Sequence, residues 1–361
     1  MDIFYAILIS FLITVFATPF VISLSRKYGL VDNPKLRPHP AHVHTSVIPR
    51  AGGLPAFIGI VTSILLFIPL TKQVMGIIAA LIILLLVGLA DDKYKNLSPY
   101  ARLVGQFLAA LIVVGSGIGI SFITNPFGGI LELDPLNLPL SFLGISWILY
   151  LADLVAIIWI VWVMNMLNWS KGVDGQMPSI VLIASLILGC LSFKFFLEGD
   201  LSQLTTAKLA FLTTGAAAGL LIFNWYPAKI LPAFSGSTIF GLLIAVLAIS
   251  SGAKLATAGL VLLVPATDFI YTFFRRILQK KSPVWGDRGH LHHKLLDLGL
   301  NHQQISLFYM IGSAILGAAA IALNSKGKLF AAILTAAAVF AIILWLNFFG
   351  GLSNRQDRDN G

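Results

Sequence analysis

Two adjacent carboxylates are the first residues in this sequence with an evident chemical use. Asp91 and Asp92 follow a long apolar run and open the segment ADDKYKNLSPYARLVGQ. Paired carboxylates concentrate negative charge where a hard cation such as Mg²⁺ can hold nucleotide phosphates. A solvated helix end is the alternative interpretation, but the helix macrodipole disfavours anions at a C-terminus and favours Lys or Arg there. The pair therefore indicates a functional site.

A second candidate cluster is the segment NMLNWSKGVDGQ. Asn165 and Asn168 have the spacing that places both amides on one face of a helix, where they can donate to phosphate or sugar. Gly172 and Gly175 lie on either side of Asp174 and permit a close approach of the backbone to a ligand. A helix end with a glycine cap would explain Gly172 but not both amides, so both interpretations stay open.

The third candidate cluster, GDRGHLHHKLLDLG at residues 286–299, combines cations with histidines. These residues are Arg288, His290, His292, His293 and Lys294. Side chains that carry positive charge or protons suit a pyrophosphate and its proton transfers. A structural zinc site is the alternative, but the segment lacks cysteine and a second regular ligand pair.

Two glycine-rich helix entries add weaker candidates. IPRAGGLP contains Arg50, and FNWYPAKILPAFSGSTIFG contains Asn224 and Lys229. The free N–H groups at such helix starts can face an anion. Asp268 lies within an apolar run, where an unpaired carboxylate is unfavourable, and we expect it to point toward the same site.

The elements that carry these clusters must lie in a membrane. Of the 361 residues, 58% are hydrophobic and 11% are charged, against about 25% charged in an ordinary soluble domain. This composition excludes a soluble enzyme and a disordered chain. A spanning helix needs about 20 residues, and apolar stretches near that length fall at residues 3–24, 54–70, 74–90, 103–120, 147–164, 178–197, 208–223, 237–251, 255–273, 305–323 and 329–349. We therefore expect one all-α polytopic membrane domain over residues 1–361, with about eleven transmembrane helices.

The positive charges orient this bundle. Most of the 24 Lys and Arg residues and all seven histidines fall in loops on one side, which the positive-inside rule makes cytoplasmic. The first apolar stretch has Asp2 before it and Arg26 and Lys27 after it, so we expect an uncleaved anchor with the amino terminus outside. Residues 121–146 predict a short outer hairpin. Orientation explains the net charge of +9, so we expect no nucleic-acid partner.

The order of the motifs resembles that of a known family. GLVDNP, PRAGGLP, GLADDKYKNLSP, NMLN with GVDG, NWYPAK and DRGHLHH follow one another. Along nearly the whole chain this pattern resembles the polyprenyl-phosphate N-acetylhexosamine-1-phosphate transferases (glycosyltransferase family 4), and within them the undecaprenyl-phosphate N-acetylglucosamine-1-phosphate transferases.

The resemblance implies an inner-membrane enzyme with a cytoplasmic active-site cleft. Such an enzyme moves a sugar 1-phosphate, here that of N-acetylglucosamine, from a UDP-N-acetylhexosamine to polyprenyl phosphate and releases UMP. It implies Mg²⁺ as the cofactor, with Mn²⁺ as a substitute. A homodimer is a further expectation.

The resemblance also implies roles for the candidate residues. Asp91, Asp92 and Asp174 are expected to bind the metal ion and to take part in catalysis. His290, His292 and His293 are expected to be catalytic residues that act on the phosphates and the sugar. The expected substrate-binding residues are Arg50, Asn165, Asn168, Lys171, Asn224, Lys229 and Arg288. We predict that the donor lies between the Asp91–Asp92 helix end and the HLHH loop.

Two positions depart from the family pattern. Lys171 stands where the first aspartate of DGxDG is expected, and Phe234 stands where MGDxGS has its aspartate. The site becomes more positive, which predicts weaker Mg²⁺ binding and a direct contact of Lys171 with the donor pyrophosphate. The same departures support the alternative that the chain binds lipid phosphate or nucleotide without turnover. A transporter is a third class, but no inverted repeat or broken pair of spans in the sequence indicates it.

Overall fold

The computed structural model describes residues 2–35, 43–94, 97–135, 137–142, 145–251, 255–282 and 288–359. The helices in these ranges are α1 (Asp2–Tyr28), α2 (Gly53–Phe67), α3 (Lys72–Tyr94), α4 (Pro99–Gly115), α5 (Leu151–Trp169), α6 (Gln176–Leu197), α7 (Gln203–Asn224), α8 (Ala233–Ser250), α9 (Leu255–Val261), α10 (Leu263–Leu278), α11 (Leu291–Asp297), α12 (His302–Ala322) and α13 (Ser325–Asp359). The strands are β1 (Val31–Asp32), β2 (Ile48–Pro49), β3 (Phe122–Thr124), β4 (Ile130–Glu132), β5 (Asn137–Phe142) and β6 (Ile145–Tyr150). They pair as antiparallel two-stranded ribbons, β1 with β2, β3 with β4 and β5 with β6.

Eight helices in the described ranges are long and apolar enough to cross a membrane: α1, α3, α5, α6, α7, α8, α12 and α13. The pair α9 and α10 passes the same test together but bends by 82°, and α2 and α4 are apolar but shorter. The predicted all-α polytopic membrane class is therefore confirmed. The predicted number of crossings, eleven, is larger than the eight helices that meet the test of length and composition.

The apolar stretch at residues 255–273 is not one straight helix. It is interrupted at Leu262, between α9 and α10. Pro265 explains the break, because proline lacks an N–H group and its ring collides with the carbonyl group four residues earlier in a continuous helix. That carbonyl belongs to Val261, where α9 ends.

The segment before α5 contains more strand than predicted. The span expected at residues 147–164 begins only at Leu151, because the preceding residues form β6 and pair with β5. The hairpin expected at residues 121–146 is therefore two hairpins, β3–β4 and β5–β6.

Helix α8 lies at the centre of the bundle. Every residue from Ala233 to Ile249 is buried, as expected for a helix that is apolar on all sides. It packs against α3 and α5, with further contacts to α2 and α7. A Cβ on Gly241 of α8 would lie 2.6 Å from the Cα of Met164 in α5, so the two helices touch along their backbones. This packing fixes the amino terminus of α8 beside the carboxyl ends of α3 and α5.

Candidate active site

The carboxylate pair lies in the last turn of α3 and is buried. Asp91 is 1% exposed and Asp92 is 0% exposed. Asp92 accepts hydrogen bonds at both oxygens, from the Phe234 backbone nitrogen at 3.1 Å and from the Ser235 hydroxyl at 2.6 Å. It therefore caps the amino terminus of α8, where unpaired N–H groups and the helix dipole stabilise a negative charge. The alternative of a solvated helix end is wrong.

Glycines allow α8 to reach the carboxylate pair. Gly53, at the start of α2, and Gly88, in α3, both face Ser235. A Cβ on either glycine would lie 2.6 Å from the Ser235 Cβ, well inside van der Waals contact. The chain enters α8 through Ala233 in the left-handed conformation, with φ of 55°, which is unfavourable for a residue other than glycine. This turn directly precedes the Phe234 nitrogen that donates to the carboxylate.

Two arginines surround the pair. Arg102 Nη2 lies 2.7 Å from Asp91 Oδ1. The Arg50 guanidinium makes longer ion pairs, with nitrogen–oxygen distances of 3.6 Å to Asp92, 3.7 Å to Asp32 and 3.9 Å to Asp91. Asp32 is in β1, which pairs with β2 immediately before Arg50. The short ribbon therefore brings this arginine to the end of α3.

Lys171 lies in the turn after α5 and faces the same region. Its ammonium is 5.9 Å from the centroid of the Phe234 ring, and the Arg102 guanidinium carbon is 5.5 Å from the same centroid. The ring therefore contacts two cations through its π face. Burial, together with the charge on Arg50, lowers the pKa of Lys171 to about 7. Within the described residues no hydrogen bond or ion pair holds this ammonium.

The two asparagines of α5 lie on the face that meets α4 and α8. Asn165 Nδ2 donates to Gln106 Oε1 at 2.8 Å and to a backbone carbonyl one turn earlier. Asn168 Oδ1 accepts from the Ser237 hydroxyl at 3.0 Å. Both side chains therefore position neighbouring elements, and their predicted contacts to substrate stay a prediction.

The histidine segment is anchored by Asp268 of α10. Asp268 accepts from the Leu291 backbone nitrogen at 2.8 Å and lies 3.0 Å from His290 Nδ1. Arg276 Nη2 is 3.4 Å from His290 Nε2, and its guanidinium carbon lies 4.5 Å from the Trp169 ring. The expectation that Asp268 points toward the candidate site is confirmed by these contacts with the start of α11.

His292 joins this segment to the turn that carries Lys171. The rings of His292 and His290 are stacked, with a centroid distance of 5.4 Å and an angle of 6° between their planes. The centroid of the His293 ring lies 4.4 Å from that of His292. His292 rests directly on Gly172, where the three nearest atoms to an added Cβ all belong to the His292 ring. Burial, then the neighbouring His293 and His290, hold the pKa of His292 well below its usual range, so the ring is neutral at pH 7.

Asp174 belongs to a different group of contacts. Its Oδ2 accepts from the Ala228 nitrogen at 3.0 Å and lies 3.7 Å from His302 Nδ1. Its Oδ1 lies 3.3 Å from His44 Nε2. The left-handed Gly175, with φ of 78°, turns the chain into α6 directly afterwards. Asp174 therefore faces the loop after α7 and the start of α12.

The remaining predicted substrate contacts lie around this second group or on the surface. Asn224 accepts from the Gly175 nitrogen at 3.0 Å and donates to a loop carbonyl at 2.9 Å. Lys229 is exposed. Arg288 is exposed and forms a salt bridge of 2.8 Å with Asp297. In the described part of the chain neither cation pairs with a predicted carboxylate of the site.

The three carboxylates predicted to bind magnesium do not form one cluster, because Asp174 lies in a different group of contacts from Asp91 and Asp92. Among the described residues, no group of three or more His, Cys, Asp or Glu side chains could hold a metal ion. Both oxygens of Asp92 are engaged by α8, and the cations nearest the acid pair among the described residues are Arg50, Arg102 and Lys171. These residues do not fit a magnesium site, because Mg²⁺ takes oxygen ligands and would face three cations and a helix amino terminus here.

Several residues of the site were not among the sequence candidates. Arg102, His44, His302 and Arg276 each contact a candidate residue. Arg102 lies in the segment quoted with the acid pair and falls in the first turn of α4, where Ser98 is the N-cap. A basic residue shortly after the acid pair was the available signal. No local pattern identifies the others, because each comes from an element distant in sequence.

Within a helical membrane bundle, a buried acid pair lies beside a helix amino terminus and cations that have unused hydrogen-bond donors. This arrangement suits an integral-membrane enzyme that acts on phosphates. Comparisons with known proteins agree. Residues 74–252 match the model of glycosyl transferase family 4. The chain is 30% identical to the decaprenyl-phosphate N-acetylglucosaminephosphotransferase of Mycolicibacterium smegmatis, over 93% of this chain and 86% of that protein.

Two further relatives have related names. Identity is 29% to the probable undecaprenyl-phosphate N-acetylglucosaminyl 1-phosphate transferase of Bacillus subtilis, over 85% of this chain and 81% of that protein. The chain is 25% identical to the undecaprenyl-phosphate alpha-N-acetylglucosaminyl 1-phosphate transferase of Pasteurella multocida, over 86% of this chain and 83% of that protein. The chain belongs to glycosyl transferase family 4, a family of phosphoglycosyltransferases, and the resemblance inferred from its motifs is confirmed.

Proposed function

We propose that this protein transfers N-acetylglucosamine 1-phosphate from UDP-N-acetylglucosamine to a polyprenyl phosphate such as undecaprenyl phosphate, as the first membrane step of a cell-envelope glycan. The observation that carries the proposal is the arrangement of Arg50 and Lys171 around the buried Asp91–Asp92 pair at the start of α8. The names of the relatives support the choice of sugar and lipid.

The reaction is a phosphoryl transfer in which the protein positions reactants and neutralises charge. An oxygen of the lipid phosphate forms a bond to the β-phosphorus of the donor. The bond from that phosphorus to the oxygen that bridges it to the α-phosphorus breaks, and UMP leaves with the bridging oxygen. Both N-acetylglucosamine and the β-phosphate remain on the lipid, so the product is a polyprenyl diphosphate sugar.

The cations around the acid pair suit the diphosphate of the donor. Arg50 and Lys171 can donate to its non-bridging oxygens as negative charge shifts toward the leaving UMP. Asp91 fixes Arg102, and Asp92 fixes the start of α8, so the carboxylates orient the groups that meet the substrate. His292 is neutral and buried, and it supports the turn that carries Lys171 without adding a charge.

The group around Asp174 suits the nucleoside. The Tyr226 ring lies 4.9 Å from the ring of His302, which contacts Asp174. Asn224 holds the adjacent Gly175. Aromatic faces beside amide and carboxylate groups fit a planar base with polar edges. This assignment places the donor from the Asp174 group to the acid pair, with the HLHH segment alongside.

The same proposal includes a cytoplasmic active-site cleft in the inner membrane. The bent pair α9–α10 and the shorter α2 and α4, added to the eight long helices, would give eleven crossings with the amino terminus outside. The distribution of Lys, Arg and His supports this orientation. A homodimer stays a prediction from the family resemblance.

Topology is tested by single-cysteine labelling in intact cells, in a Cys190→Ala background because Cys190 is exposed. A membrane-impermeant thiol reagent should label a cysteine that replaces Leu131 and should not label one that replaces Lys281 or Ser98. All three positions are exposed in the protein. External labelling at Lys281 would invert the orientation and place the candidate site outside.

Product analysis tests the function. Purified protein with UDP-N-acetylglucosamine should release UMP, not UDP, and only when undecaprenyl phosphate is present. A panel of UDP-sugars in the same assay identifies the preferred donor. Donor binding without lipid-dependent UMP release would instead support a family member that binds without turnover.

A further inference from the structure

Arg50 has hydrogen-bonding capacity that the protein does not use. Its contacts with its acidic neighbours are 3.6, 3.7 and 3.9 Å long, beyond hydrogen-bond length. Its Nε atom is buried and has no hydrogen-bond partner among the described residues. The carboxylates therefore hold the guanidinium in place by charge, while its fork of N–H donors remains available to an anion.

Lys171 is held in a similar way. The contact with the Phe234 ring, at 5.9 Å, attracts the ammonium through its charge and uses none of its N–H donors. Its turn is also held in place by His292, which packs on Gly172. Two cations with unused donors thus flank one carboxylate pair, whose own charges offset the repulsion between them.

From this geometry we infer that the site binds the diphosphate of the donor through Arg50 and Lys171 without a divalent cation. The inference rests on the proposed function, because it names how the donor of that reaction is held. Asp91 and Asp92 then act as positioning residues, which hold Arg102, Arg50 and the start of α8 rather than a metal ion. Phe234 acts as a platform that keeps the ammonium of Lys171 in place.

Binding measurements on the full-length protein in detergent test the inference. UDP-N-acetylglucosamine and inorganic pyrophosphate are titrated separately by calorimetry, in excess EDTA and in excess Mg²⁺. For the wild type we expect the dissociation constant of each probe to differ by less than about threefold between the two conditions. Lys171→Met should weaken binding in EDTA by about 10- to 100-fold, as expected for the loss of hydrogen bonds to a charged group.

Lys194→Met is the matched control. Lys194 lies at the far end of α6 and is exposed, with its nitrogen 3.7 Å from Glu198, so the same change should leave both dissociation constants unaltered. Lys171→Asp provides a second variant that reverses the charge. It should abolish binding in EDTA and partly restore it in Mg²⁺, because a carboxylate at this position supplies a metal ligand. Thermal melting of each variant confirms that it is folded.

The outcomes separate this inference from the proposed function. Donor binding that disappears in EDTA and returns with Mg²⁺ would overturn the inference and leave the proposed function intact. Pyrophosphate binding in EDTA that depends on Lys171, without any binding of UDP-N-acetylglucosamine, would support the anion site and overturn the proposed donor. Failure of both probes in both conditions would overturn both.

Discussion

The contact between Gly172 and His292 gives the sharpest structural prediction. The backbone of Gly172 is not in the left-handed region, so alanine is permitted there by its backbone. An added Cβ would nevertheless overlap the His292 ring. This ring is buried, with 1% of its surface exposed, and is confined by the rings of His290 and His293. It cannot move aside without disturbing both neighbours.

Gly172→Ala should therefore destabilise the protein by about 1–3 kcal/mol, the usual cost of overpacking. It should also reduce UMP release, because the displaced His292 belongs to the proposed site. Removing the ring relieves the overlap, so the same alanine in a His292→Ala background should cost less than about 0.5 kcal/mol. The coupling free energy between the two positions is then about 1–3 kcal/mol, as for residues in direct contact.

Thermal unfolding and UMP release of the wild type, the two single variants and the double variant measure this cycle. Gly115→Ala is a control, because a Cβ on Gly115 would meet no atom within 4 Å. It should leave the unfolding midpoint unchanged or raise it slightly. Equal destabilisation by Gly172→Ala with and without the His292 ring would refute the predicted packing of the histidine segment against this turn.

Three further predictions concern the groups around the site. Ser235→Ala removes the 2.6 Å hydrogen bond to Asp92. It should lower the free energy of unfolding by about 1–3 kcal/mol, because a buried carboxylate oxygen loses its partner. An unchanged melting midpoint would contradict the capping of α8. Asp268→Asn weakens the attachment of His290 and should increase hydrogen exchange in α11, measured by mass spectrometry; unchanged protection would show that another contact anchors the helix. Lys171 has a pKa of about 7 in the free protein, and a bound diphosphate raises it, so donor affinity is highest below pH 7. The affinity for the donor should fall by up to about tenfold per pH unit as the pH rises from 7 toward the pKa of Lys171 in the bound state. Calorimetry on Lys171→Met should show no such fall.

The sequence contains enough information for the fold class and for much of the first contact group. The apolar stretches identify the membrane helices and place Asp91 and Asp92 at a helix end. The macrodipole argument then indicates that two carboxylates at a helix C-terminus serve a functional site. The attachment of Asp268 to the histidine segment follows from the cost of an unpaired carboxylate in an apolar helix. Each of these inferences depends on local sequence, which is why the sequence alone was sufficient.

Other features depend on contacts between distant elements. Asp174 was grouped with Asp91 and Asp92 by the family resemblance, but the left-handed Gly175 directs it toward His44 and His302. His44 precedes α2 and His302 begins α12, so no spacing rule relates them. The sequence also did not predict the bend between α9 and α10, because a hydropathy pattern does not reveal how a single proline interrupts a helix.

The fate of the β-phosphate tests the central claim most directly. Purified protein is incubated with undecaprenyl phosphate and UDP-N-acetylglucosamine that carries a radioactive β-phosphate, and the lipid and aqueous phases are then separated. The proposed reaction moves the label into the lipid phase and leaves unlabelled UMP in the aqueous phase, with one UMP for each labelled lipid. Label that stays in the aqueous phase as UDP or as unreacted donor would contradict the account.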